Sequence, residues 1–287
     1  MPTLDVPGAT LEYTTTGSGP HIILVPGAPG SQSVFRSLVP FLSRSWTVTT
    51  YSRRGLSGSL LRGAQDYAHR LDTDADDLAA LLKAVVVTGG GGGGDTTAAV
   101  AGACIFGTSS GAIVSLRFLE RHPDFPNVRK CVAHEPPAIT VLPPEILAQR
   151  EPEHRALTGL YRDKGAPYAV ETFASFFADG KDREALPVLL DPAASADARA
   201  DVMYWLEREP PYVFQKWDLE ALKKAGDKLV LSVGESTKDQ RAGEATLALM
   251  ERLGRSEETL FVAPGGHIPY VTEPEALATA LSNLLIP

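Results

Sequence analysis

Short apolar runs alternate with amphipathic stretches along most of this chain. Residues 21–25, 46–51, 98–106, 128–133, 228–233 and 259–262 are rich in Val, Ile, Leu, Ala and aromatic side chains. Their length and composition predict strands buried on both faces. Residues 10–15 alternate polar and apolar positions, which predicts a strand at a sheet edge. Between these runs, residues 34–42, 72–87, 112–119, 240–253 and 274–285 carry apolar side chains at helical spacing; the stripe in 72–87 includes Leu78, Leu81, Leu82 and Val85. Buried strands alternating with helices predict an α/β chain with a mostly parallel sheet covered on both faces.

One stretch breaks the alternation. Residues 137–214 are helical in pattern, rich in proline, and contain no buried-strand run. They predict a helical cap inserted into a core formed by residues 1–136 and 215–287, lying over the carboxyl edge of the sheet. Most aromatic side chains of the insertion belong to its own core on this reading. Tyr204, Trp205 and Phe214 lie late in it, where the chain returns to the sheet, and are candidates for contact with a pocket. The six glycines at 89–94 precede a strand and open no helix, so they predict a flexible surface loop and not a dinucleotide site.

Composition narrows the field. With 287 residues, 44% of them hydrophobic, the chain can form one large domain carrying an insertion. A net charge of −8 argues against nucleic acid and anionic membrane surfaces as partners. No run approaches the roughly 20 apolar residues that span a bilayer, and Met1-Pro2-Thr3-Leu4-Asp5-Val6 has neither a basic nor an apolar signal segment. The two cysteines, Cys104 and Cys131, each lie in an apolar run. Buried reduced thiols and a cytoplasmic setting are expected. Neither has a His or Cys at metal-ligand spacing, so no metal is expected at them.

The candidate chemistry centres on Gly107-Thr108-Ser109-Ser110-Gly111, which stands between a strand-like run and a helix-like run. In that context G-x-S-x-G predicts a sharp turn that holds Ser109 above the sheet edge as a nucleophile. A serine hydroxyl needs a base. Of the six histidines, His267 follows the last strand in a Gly-rich loop, in the order serine, acid, histidine. His21 opens a strand at the opposite edge, and His69, His122 and His154 sit in polar or helix-end contexts that predict the surface. Two acids could orient the imidazole. Glu135 ends the strand after the Ser109 helix, and Glu235 follows the next strand, where Ser236, Thr237 and Asp239 also stand. Glu135 is favoured because a long side chain from the strand beside that of Ser109 can reach His267; Glu235 is the alternative. His134 is turned away by alternation and is expected to pack. An oxyanion site needs two backbone N–H groups. Ser110 can supply one. Within Pro26-Gly27-Ala28-Pro29-Gly30, Ala28 is the candidate for the other, because proline has no N–H and Gly27 makes the turn.

Taken together, these residues resemble the α/β-hydrolase superfamily. Three local patterns, Gly107-Thr108-Ser109-Ser110-Gly111, Ala133-His134-Glu135-Pro136-Pro137 and Pro264-Gly265-Gly266-His267-Ile268-Pro269-Tyr270-Val271, are similar to fungal lactone hydrolases of the zearalenone-hydrolase type. The resemblance implies an α/β-hydrolase fold, with a mostly parallel eight-stranded sheet and a helical cap. It also implies that the acid is Glu135. The family's macrolactone substrate does not carry over with these motifs, because the cap sets the substrate and its sequence matches poorly.

The expected protein is therefore a cofactor-free serine hydrolase of a small-molecule carboxylic ester or lactone, monomeric or a homodimer. Rival readings are C–C bond hydrolysis or acyl transfer in the same site, and a hydrolase-like receptor that binds with little turnover. Dehalogenase and epoxide hydrolase chemistry would need Asp in place of Ser109, and a metal-dependent lactonase would need an H-x-H-x-D cluster that the chain lacks.

Overall fold

The computed structural model describes residues 1–87, 102–177 and 180–285. In chain order these form β1 (Thr3–Val6), β2 (Ala9–Thr16), β3 (His21–Val25), α1 (Val39–Leu42), β4 (Thr47–Tyr51), β5 (Leu60–Leu61), α2 (Arg70–Leu82), β6 (Ala103–Thr108), α3 (Ser110–Arg121) and β7 (Val128–His134). Among the described residues only helices follow as far as Phe214: α4 (Pro144–Lys164), α5 (Ala166–Ala174), α6 (Gly180–Leu189) and α7 (Ala196–Arg208), with short 3-10 turns at either end. Alternation then resumes with α8 (Leu219–Lys224), β8 (Leu229–Gly234), α9 (Arg241–Arg252), β9 (Phe261–Ala263), α10 (Pro269–Thr272) and α11 (Pro274–Leu285).

The strands form one sheet in the order β1-β2-β4-β3-β6-β7-β8-β9, with the two-residue β5 beside β2. Every pairing from β4 through β3 to β9 is parallel, and only the β2 end is antiparallel. This is the expected α/β class and mostly parallel sheet, but with nine strands where eight are expected, because the two-residue β5 adds beside β2. The strand expected at the edge over residues 10–15 is interior, because β2 bonds to β1, β5 and β4, and β1 takes the edge. Strand alternation divides the core in two. Ile23, Val25, Ile105 and Cys131 point to one face, and Ile22, Leu24, Phe106 and Val132 to the other. The first face packs against α2 and α3 through Leu78, Leu82, Ile113 and Leu116. The second shares its cluster with Leu157, Val170, Val202 and Trp205, so helices α4, α5 and α7 are continuous with the sheet's core.

Helix α2 stops at Leu82, and Lys83–Val87 winds as a π turn. The β-branched run there has little propensity to continue an α-helix. The glycine run 89–94 and the first part of the expected strand 98–106 lie outside the described residues. After β3 the chain moves to β4 on one side and then returns to place β6 on the other. The loops at their carboxyl ends part at this reversal, which is where open α/β sheets form their crevice.

Candidate active site

The turn between β6 and α3 places Ser109 at φ 54° and ψ −125°, a left-handed conformation that serine rarely adopts. Two glycines let the chain bend so tightly. A Cβ on Gly107 would lie 2.3 Å from Ser115 Oγ, and one on Gly111 would lie 2.3 Å from the carbonyl oxygen of Val25. The Ser109 N–H donates to the carbonyl of His134 at 2.9 Å, which ties the turn to the end of β7. Ser109 is 8% exposed, so its hydroxyl is reached only from a cavity.

Beside it, β7 ends and Glu135 also takes a positive φ, 46°, as its N–H donates to Ser232 O of β8. The strain turns its side chain across the end of β8. His267, in the loop after β9, has Nδ1 2.7 Å from Glu135 Oε2. Glu135 Oε1 accepts from the Gly234 N–H at 2.9 Å and the Thr237 hydroxyl at 2.5 Å. Burial pushes the Glu135 carboxyl up, but bonds from His267 and Thr237 and the charges of the two nearby histidines prevail and hold it at about 2. The loop beyond β8 thus contributes not a carboxylate but Thr237, which holds the carboxylate arriving from β7. Glu235 is exposed, and its N–H donates to Ala263 O.

The His267 ring is fixed on both sides. It lies 4.6 Å, centroid to centroid, from Phe177, and 6.5 Å from His134. Its backbone N–H donates to Asp182, a fully buried carboxylate that also accepts from Ile268 N–H at 3.3 Å. His134 packs as its alternation predicts, bonded to Ser232 Oγ at 3.0 Å and Gly266 O at 3.1 Å, and burial pushes its pKa down.

Ser109, Ser110, Ala28, Glu135 and His267 line one cavity of about 90 Å³. Most of the remaining wall is apolar, with Ile139, Leu142, Leu157, Phe173, Phe176 and Trp205 among its residues. Of the three aromatic candidates only Trp205 is there. Successive helical residues point about 100° apart, so Tyr204 turns instead to the Arg70 guanidinium and Gly55. Phe214 lies beneath Arg155, whose guanidinium carbon is 4.2 Å from the ring centroid. His154, expected at the surface, lines the cavity with Arg150 and Arg241, and burial followed by those two charges lowers its pKa to about 4. The one-residue context of His154 in a polar helix gave no signal of this.

A second group carries none of these motifs. Arg53, Arg70, Asp74, Glu209 and Tyr212 form a buried ionic network beside Ser110. Arg53 Nη2 donates to Glu209 at 2.8 Å, Arg70 Nε donates to Asp74 at 2.9 Å, and the Tyr212 hydroxyl donates to Asp74 at 2.6 Å. Burial disfavours the Arg53 charge, but Glu209 and Asp74 more than offset it. Glu209 and Tyr212 reach the cavity wall. The sequence signal was the Arg53-Arg54 pair following an apolar strand, a costly place for charges unless acids from elsewhere meet them.

A family model described as the alpha/beta hydrolase family matches residues 22–280. An uncharacterized hydrolase, YraK, of Bacillus subtilis (strain 168) is 36% identical over 149 residues, 52% of this chain and about half, 49%, of its own length. The zearalenone hydrolase of Bionectria ochroleuca is 25% identical over 275 residues, 94% of this chain and 92% of that one. A thermophilic esterase from Thermogutta terrifontis has a structure that superimposes with a TM-score of 0.65 at 20% identity, covering 99% of this chain and 96% of that one.

Proposed function

The chain belongs to the alpha/beta hydrolase family, and from that premise we propose that it cleaves a small carboxylic ester or lactone through Ser109, His267 and Glu135. The observation that carries this reading is the 2.7 Å contact of His267 Nδ1 with Glu135, in a cavity both share with Ser109 on its strained turn. A carboxylate held at about 2 is only an acceptor at neutral pH. It therefore keeps the imidazole proton on Nδ1 and leaves Nε2 as the base.

In this mechanism Ser109 Oγ attacks the carbonyl carbon as His267 Nε2 takes its proton. The Ala28 and Ser110 N–H groups receive the oxyanion. His267, now an imidazolium facing Glu135, gives its proton to the leaving alkoxide. Water, deprotonated by the same nitrogen, then cleaves the acyl-enzyme. Residues 137–214 act as the cap, over a core of residues 1–136 and 215–287. A 90 Å³ cavity is well below the roughly 300–1,000 Å³ of sites for drug-sized ligands. A compact acyl group or small ring fits it as it stands; a macrolactone would require the inserted helices to move. The buried, unpaired Cys104 and Cys131 favour a reducing compartment.

The test is steady-state turnover on short p-nitrophenyl esters, small lactones and aromatic macrolactones, with Ser109→Ala as the blank. Many turnovers per enzyme on an ester or small lactone, lost in Ser109→Ala with folding intact, are expected. Binding without turnover would favour a receptor, and Ser109-independent turnover would remove the proposed nucleophile.

A further inference from the structure

We propose that Arg53 is a positioning residue that holds the two halves of the oxyanion site in register. The proposal rests on the reading above, in which Ala28 and Ser110 N–H groups receive the oxyanion. These two groups belong to different loops, one after β3 and one after β6, and stabilise the tetrahedral state only while they converge. One nitrogen spans both. Arg53 Nη2 donates to Ser110 Oγ at 3.3 Å and makes a long contact of 3.5 Å with Gly27 O, the residue before Ala28. Neither bond is short, so the placement of the nitrogen matters more than the strength of either.

That placement is over-determined. The same Nη2 lies 2.8 Å from both Glu209 oxygens, and Nη1 lies 3.5 Å from Asp74 Oδ2. Asp74 is itself held by Arg70 Nε at 2.9 Å and the Tyr212 hydroxyl at 2.6 Å. Arg53 is 1% exposed and Glu209 2%, so water does not compete for these contacts. The charges balance, with Arg53 and Arg70 against Asp74 and Glu209. Glu209 precedes the turn Pro210–Phe214 at the end of the inserted helices. The clamp therefore also links that segment to the site where charge develops. A lysine offers a single nitrogen in place of the planar fork, so it cannot meet Glu209 and Asp74 from two separate donor atoms as Nη2 and Nη1 do.

The experiment compares Arg53→Lys, Glu209→Gln and the charge-balanced double variant Arg53→Gln/Glu209→Gln with the wild type, each scaled to its folded fraction by circular dichroism. Three quantities are read: kcat, KM, and the inhibition constant of phenylboronic acid, whose boron accepts the Ser109 oxygen and becomes a tetrahedral anion in the oxyanion site. Arg53→Lys is expected to lower kcat about 10- to 100-fold and weaken the boronate by a similar factor, with KM within about threefold. Glu209→Gln should shift both in the same direction by about 5- to 20-fold. Unchanged kcat and boronate binding in the folded variants would overturn the proposal, as would a loss carried by KM. Should Arg53→Lys fail to fold, the other two variants decide. An activated alkyl phosphonate separates this from the underlying reading: if it fails to label Ser109 in the wild type, the mechanism itself falls, whereas labelling of all variants at the wild-type rate rejects only the role of Arg53.

Discussion

Replacing Glu135 by glutamine tests the reading of the site most directly. The exchange keeps volume and removes one charge. In the native site both carboxylate oxygens are acceptors, one for His267 Nδ1 at 2.7 Å and one for Gly234 N–H and the Thr237 hydroxyl, at 2.9 and 2.5 Å. An amide has only one such oxygen. If it faces Gly234 and Thr237, its NH₂ meets His267 Nδ1 and favours the tautomer with the proton on Nε2, which can no longer act as a base. A comparable exchange in a serine-protease triad lowers kcat by about 10,000-fold, or about 5 kcal/mol of barrier. The expected result is a loss of about 1,000- to 10,000-fold in kcat on a p-nitrophenyl ester with KM little changed. Glu235→Gln, on an exposed side chain, should stay within about twofold.

Stability gives a second, independent reading of the same variant. The carboxyl titrates at about 2 in the folded chain against 4.5 ordinarily, a difference worth at most about 3 kcal/mol at neutral pH. Because the folded value is depressed, this stability is complete above about pH 4.5 and is lost as pH falls through about 2. At roughly 2–4 °C per kcal/mol, Glu135→Gln should lower Tm by up to roughly 6–12 °C at pH 7, and the gap should narrow in acid. A variant that keeps a tenth or more of wild-type kcat, or a larger loss from Glu235→Gln, would refute the reasoning.

Two further outcomes are expected. Trp205→Ala should raise KM several-fold and, by emptying a buried site, lower stability by about 3–5 kcal/mol in urea titrations; Phe214→Ala should leave KM within about twofold, and equal effects would mean that the cavity wall is wrongly drawn. Burial holds His21 and His154 at about 4, so the unfolded chain takes up protons between about pH 6.5 and 4 that the folded chain refuses. Stability should therefore fall across that interval, and His154→Gln should reduce the slope of Tm against pH; an unchanged slope would place His154 in a more open site.

Much of this protein was legible in its sequence because the relevant forces are local. Continuous apolar runs specify strands buried on both faces, and the glycines two residues either side of Ser109 specify a bend that no side chain would tolerate. The alternation of strand and helix places the ends of β3, β6, β7 and β9 on one edge, and with them Ala28, Ser109, Glu135 and His267. Where patterns failed, the determinants were distant in the chain. The bond between His267 and Glu135 joins residues 132 apart, and that between Arg53 and Glu209 joins residues 156 apart. Spacing alone left Glu135 and Glu235 both open; the turn of the chain at Glu135, with Thr237 and Gly234 as donors, decided which carboxylate meets the imidazole. The same holds for the cavity wall. Tyr204, Trp205 and His154 differ little in local context, and only the packing of α4 and α7 over the sheet determines which of them lines the cavity with Ser109. Local propensity sets the shape of each segment, but a charge or a ring buried between segments depends on groups that are neighbours only once the chain has folded.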